Sequence, residues 1–163
     1  MDERPFDLVL FGATGFTGQL VAEHLHERVG HDGAFRLALA GRSEGRLEDL
    51  RQRLQGHAPK DPIALLTADS DDPDSLRALA SQTRVLCSTV GPYAQYGSDV
   101  VAACVEHGTH YCDLTGEVPW IARMITAHQA DAERSGARIV HCCGFDSIPS
   151  DLGTWYVQQA MHE

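Results

Sequence analysis

Lysine is almost missing from this chain. Lys60 is the only one in 163 residues, and arginine supplies every other fixed cation. Chemistry that needs a lysine therefore has one candidate, and it sits in the Pro/Asp-rich stretch "APKDP". Positive charge as a whole is short: 13 Lys and Arg face 23 Asp and Glu, a formal net charge of -10. That deficit argues against a nucleic-acid-binding surface, which needs clustered cations to neutralise phosphates. It leaves room for a small anionic ligand held by a few local donors. No apolar run approaches the roughly 20 residues that span a bilayer. The opening "MDERPFD" has neither a basic stretch nor an apolar one, so nothing there reads as a secretory leader. A cytoplasmic protein is expected, with surface attachment to a membrane left open. The five cysteines, Cys87, Cys104, Cys112, Cys142 and Cys143, are odd in number and lack CxxC spacing. No HxxxH accompanies them. Reduced, largely buried thiols are expected rather than disulfides or a zinc site, and no metal.

What is present is a regular alternation. Short apolar runs ("DLVLF", "FRLALA", "PIALLTA", "RVLCSTV", "THYCDL", "ARIVHCC") alternate with longer amphipathic ones. Six strands, each followed by a helix, predict an α/β fold with a doubly wound parallel sheet, most simply in the order 3-2-1-4-5-6. The length suits one domain, residues 1–163, of nucleotide-binding type. Punctuation supports the helices. Ser43 and Asp72 stand at N-cap positions and Pro73 at a first helical position. Gly108 and Gly136 follow predicted C-termini. In the first helix Leu20, Val21, His24, Leu25 and Val29 share a face; in the long sixth one Ile121, Met124, Ile125, His128 and Ala132 do.

The first strand runs into "FGATGFTG". Gly12 would let the chain turn out of the strand. Gly15 would let backbone approach a pyrophosphate, and Gly18 would let the following helix pack closely. Ala13, Thr14, Phe16 and Thr17 fill the loop and open the helix, whose free N–H groups and dipole attract phosphate. The spacing is GxxGxxG rather than GxGxxG. A structural βα turn is the alternative.

The second strand ends in "AGRS". An NAD-binding domain usually places Asp or Glu there for the ribose 2′-hydroxyl. Gly41, Arg42 and Ser43 stand there instead. A guanidinium pairs with a 2′-phosphate that a carboxylate would repel. NADP(H) is therefore expected over NAD(H), against a plain surface arginine. Asp69, after the third strand, is placed to accept from an adenine amino group, with a helix-capping or solvated acid in an acidic run as the alternative. After the fourth strand, Thr89, Val90, Gly91, Pro92 and Tyr93 are placed beside the nicotinamide half. Tyr93 and Tyr96 have simple packing as their alternative.

His110, Asp113 and Glu117 in "HYCDLTGE" are the candidates for proton transfer. The structural alternative makes Asp113 and Thr115 helix caps and His110 a core residue. Asp146 and Ser147 in "GFDSIPSD" are placed to line the crevice, with a plain helix entry, marked by Pro149 and Ser150, as the alternative.

In order, "FGATGFTGQLVAEHL", "LALAGRS", "TVGPYAQYG", "THYCDLTGE" and "HCCGFDSIPSDLG" closely resemble the saccharopine dehydrogenase-like oxidoreductases, which include the trans-acting enoyl reductases of bacterial glycolipid synthesis. The resemblance spans essentially the whole chain. It implies an N-terminal NADP-binding Rossmann domain, with Gly12 to Gly18, Gly41 to Ser43 and Thr89 to Tyr93 as cofactor positions. It also implies hydride transfer to an imine or a lipid-linked enoyl substrate. In the family a large C-terminal α/β domain follows "DSIPSDLG", and it is absent from these 163 residues. Two other readings stand beside this one. One is a non-catalytic NADP-binding or redox-sensing module. The other, a short-chain-dehydrogenase-like reductase, is weakened because no tyrosine has a lysine four residues later.

Overall fold

A computed structural model describes residues 4–28, 35–57 and 59–162. Six strands form one sheet: β1 (Phe6–Phe11), β2 (Leu37–Gly41), β3 (Ala64–Thr67), β4 (Thr83–Ser88), β5 (His110–Asp113) and β6 (Ile139–Val140). Their order is β3-β2-β1-β4-β5-β6 and every pairing is parallel. This is the expected doubly wound α/β arrangement.

Side-chain alternation along the strands sorts the helices onto two faces. Leu10 and Leu39 join Ala22 of α1 (Phe16–Arg28) and Leu47 and Leu50 of α2 (Glu44–Gln55). On the other face Val9, Phe11, Leu86 and Tyr111 meet the remaining core helices. These supply Leu76 and Leu79 of α3 (Pro73–Ser81), Val100 and Val101 of α5 (Ser98–His107), and Trp120 of α6 (Val118–Ser135). Both faces of the central strands are thus dry, which is why those strands read as near-continuous apolar runs.

The local signals hold. The Ser43 hydroxyl accepts from Arg46 N, and an Asp72 carboxylate oxygen from Asp74 N. Gly108 and Gly136 close α5 and α6 with φ of 64° and 79°, the left-handed region that favours glycine. A short helical turn, α4 (Tyr93–Tyr96), stands in the loop after β4.

Two helical faces differ from expectation. In α1 the buried residues are Gly18 and Ala22, while Leu20 and His24 are exposed; Val29 lies outside the described residues. In α6 Trp120 is buried and Ile125 is exposed. β6 is confined to two residues of the longer run predicted for it. The last helix, α7 (Ile148–Met161), buries none of its residues, and Leu152, Trp155, Tyr156 and Met161 lie open. Among the described residues no helix is long and apolar enough to cross a membrane.

Candidate cofactor site

The C-terminal ends of β1, β2 and β4 meet at the point where strand order reverses, the usual ligand crevice of open α/β sheets. A cavity of about 260 Å³ opens there. Gly12, Thr14 and Gly15 line it from the loop after β1, Gly41 and Arg42 from β2, and Thr89, Val90 and Gly91 from the loop after β4. Eight residues singled out from the sequence therefore share one cavity. Arg46, Ser70 and Tyr96 also line it.

Backbone contacts shape the loop. Gly12 has φ of 85°, and a Cβ there would lie 2.7 Å from Val90 Cγ2 and 2.8 Å from Thr89 Oγ1. The two loops are in direct contact at that point, and the Thr89 hydroxyl donates to the Phe11 and Gly12 carbonyls at 3.1 and 3.2 Å. At Gly18 a Cβ would meet Gly12 O at 2.1 Å and Ala13 Cα at 2.9 Å. Its small size serves a contact with the loop's own backbone, so α1 begins tight against the turn. Gly15 N donates to Gly12 O, and Gln19 N to Gly15 O at 2.9 Å. The amides of Phe16, Thr17 and Gly18 stand ahead of that first helical bond. They form the donor set that a helix N-terminus presents to phosphate.

At the β2 corner Arg42, just before the N-cap Ser43, and Arg46, in the first turn of α2, both line the cavity. Both are exposed. Ser43 between them is half-buried and spends its hydroxyl on capping α2. Arg46 was not singled out from the sequence.

The other sequence candidates fall in distinct places. Ala13 and Gly18 are buried under the loop, and Phe16 is exposed beside it. One Asp69 carboxylate oxygen accepts from Asp71 N, within the turn after β3, and Ser70 rather than Asp69 lines the cavity. Tyr93 is buried beneath the loop. Its hydroxyl donates to Ser88 O at 3.0 Å, and its ring packs against Trp120 at 5.6 Å. Burial pushes its ionisation well above the usual phenol range.

The proton-transfer candidates separate. His110 opens β5, so it lies at the opposite edge of the sheet, where it lines a cavity with Arg4, Asp7 and Arg84 and accepts from Arg138 N. Asp113, at the far end of the strand, is buried. It accepts from Thr115 N, Cys142 N and the His141 ring. Glu117 accepts from Tyr93 N and Ala94 N. Asp146 is exposed and Ser147 half-buried at the entry to α7. Cys87 and Cys112 stand in register on β4 and β5. The Cys112 thiol and burial together push Cys87 up, away from thiolate character. Among the described residues no group of three or more His, Cys, Asp and Glu side chains is disposed to hold a metal ion.

A model of the saccharopine dehydrogenase NADP-binding domain matches residues 8–140. The chain belongs to that family. Its NADP-binding assignment fits the cavity: Gly12, Thr14 and Gly15 line it with a loop whose close packing leaves no room for a Cβ at Gly12 or Gly18, and two guanidinium groups stand at its β2 corner. The chain is 46% identical over 162 residues to a trans-acting enoyl reductase of Mycobacterium leprae, covering 99% of this chain and 38% of that protein. It is 49% identical over 154 residues to one from Mycobacterium bovis, covering 94% and 35%. The chain therefore spans little more than a third of these relatives. Among solved structures, apo saccharopine dehydrogenase (L-Glu forming) from Saccharomyces cerevisiae has the same fold. Its TM-score is 0.68 at 17% identity, over 87% of this chain and 28% of that one. Triphenylmethane reductase from Citrobacter sp., solved with NADP(H), gives 0.60 at 20% identity, over 83% and 48%.

Proposed function

We propose that this chain prefers NADP(H) to NAD(H) and forms the cofactor half of an oxidoreductase. Its substrate would be a small-molecule or lipid-linked enoyl group, with an imine as the second choice. The bound nicotinamide supplies the hydride chemistry; the protein's part is to hold and orient it. In this reading Gly12 to Gly18 take the pyrophosphate, and Gly41, Arg42 and Ser43 with Arg46 take the 2′-phosphate. Ser70, with Asp69 beside it in the turn after β3, borders the adenine, and the loop backbone from Thr89 to Tyr93 faces the nicotinamide half, with the Tyr93 ring beneath it. The observation that carries the preference is the Arg42–Arg46 pair beside the glycine loop, where a carboxylate would serve NAD(H). The names of the mycobacterial relatives support the enoyl choice.

Asp113 and Glu117 already accept from neighbouring amides, and His110 lies across the sheet. This supports a proton donor other than these three side chains. Separate titrations with NADPH and NADH, followed by nicotinamide fluorescence, test the reading. NADPH is expected to bind at least about tenfold tighter, roughly 1.4 kcal/mol. Equal affinity would remove the preference. The same samples mixed with enoyl and imine acceptors read turnover. Binding with no hydride transfer is expected from these residues alone, whereas turnover above background would show that they already hold a complete site.

A further inference from the structure

Glu117 is the residue at the N-cap of α6, yet its carboxylate makes no hydrogen bond to its own helix. It reaches across to the loop after β4 instead. Oε1 accepts from Tyr93 N at 2.6 Å and Oε2 from Ala94 N at 2.9 Å. Pro92 has no N–H, so these are the first amide donors after Gly91, and they open the α4 turn. One carboxylate thus satisfies two successive orphan amides through charge-assisted bonds, the stronger kind. Its described partners are amides rather than cations.

Glu117 is itself fixed from behind. Its N–H donates to Thr115 Oγ1 at 3.1 Å, and Thr115 N donates to an Asp113 carboxylate oxygen at 3.1 Å. Its carbonyl accepts from Trp120 N and Ile121 N at the start of α6. The gripped loop carries Gly91 and Tyr96, which line the cavity. It presses on α6 a second time: a Cβ at Gly97 would lie 2.7 Å from Trp120 Cζ2.

We propose that Glu117 is a positioning residue for the cofactor: its carboxylate sets the Gly91–Ala94 backbone against the nicotinamide half of the bound dinucleotide. This rests on the cofactor reading above. Glu117 touches neither cofactor nor substrate here; it acts through the Tyr93 and Ala94 amides. It follows that the adenosine end, held by the glycine loop and the Arg42–Arg46 corner, should not depend on it.

The test compares NADPH with adenosine 2′,5′-bisphosphate, which lacks the nicotinamide half, on the 163-residue chain. Glu117→Ala is expected to weaken NADPH about tenfold or more and to leave the bisphosphate within about twofold. The nicotinamide fluorescence of bound NADPH should change, and the Tyr93 and Ala94 amides should lose hydrogen-exchange protection. Glu117→Gln keeps the size and one acceptor oxygen, so an intermediate loss is expected; if the alanine variant does not fold, the glutamine variant decides on the same criteria. Equal weakening of both ligands would make Glu117 a general structural support and overturn the proposal, as would no weakening of either. Wild-type protein that binds neither ligand would instead overturn the cofactor reading, and the proposal with it.

Discussion

Asp113 Oδ2 lies 2.7 Å from His141 Nδ1, with both side chains buried. The same carboxylate takes Cys142 N and Thr115 N on its other oxygen, and the Asp113 carbonyl takes Cys143 N at 2.7 Å. Cys142 has φ of 62°, a left-handed conformation that costs a non-glycine residue energy and persists only where its surroundings hold it. Asp113 is the hold. An alanine would leave the Thr115 and Cys142 amides and the His141 ring nitrogen without this partner. Asp113→Ala is therefore expected to cost about 2–4 kcal/mol in urea unfolding.

Gly18 has no room for a side chain. The atoms a Cβ would meet are the backbone of Gly12 and Ala13, which no rotamer change can move aside. Gly18→Ala should shift the loop and weaken NADPH about tenfold or more while the circular dichroism of the chain persists. Gly45, in α2, has nothing within 4 Å of its Cβ position. Gly45→Ala is the matched control. It should leave binding unchanged and raise stability by roughly 0.5–1 kcal/mol, because glycine is a poor helix residue.

Asp7 sits at the N-terminal edge of the sheet, with Arg36 at 3.2 Å and Arg84 at 3.4 Å. The bonds from Arg36 hold its carboxyl down at about 2. A carboxyl depressed in the folded state contributes stability above its unfolded pKa, near 3.9, and loses that contribution as pH falls towards 2. The arginines are about half exposed, so solvent screening limits the effect to on the order of 1 kcal/mol. Asp7→Asn should lower stability by that amount at pH 7. The difference from wild type should shrink between about pH 4 and pH 2 in melts across that range.

Much of the frame was legible because its causes are local. Buried runs between glycines and caps marked the strands, and Ser43, Asp72, Gly108 and Gly136 do at the helix ends what their side chains or their freedom at positive φ allow. The glycine loop was legible too, because its requirement is for missing atoms. What escaped depends on distant partners. β6 ends at Val140, where the chain turns so that Cys142 and Cys143 can bond Asp113 on a different strand. His110 and Asp113 are three residues apart, yet a strand rises about 3.3 Å per residue, so they end on opposite edges of the sheet. Tyr93 carries a cofactor-loop position in sequence, but Trp120 of α6 gives its ring a dry surface beneath the loop. No periodicity in Tyr93's own segment encodes that contact.

In the cofactor reading proposed above, the β2 corner recognises the 2′-phosphate. The most direct measurement is the pair of dissociation constants for NADPH and NADH, on wild-type protein and on the Arg42→Ala/Arg46→Ala double variant. The double variant is expected to lose about tenfold or more of its NADPH affinity and to hold NADH within about twofold, so that the preference collapses. NADPH affinity that survives the double substitution, or an equal loss for both coenzymes, would contradict it.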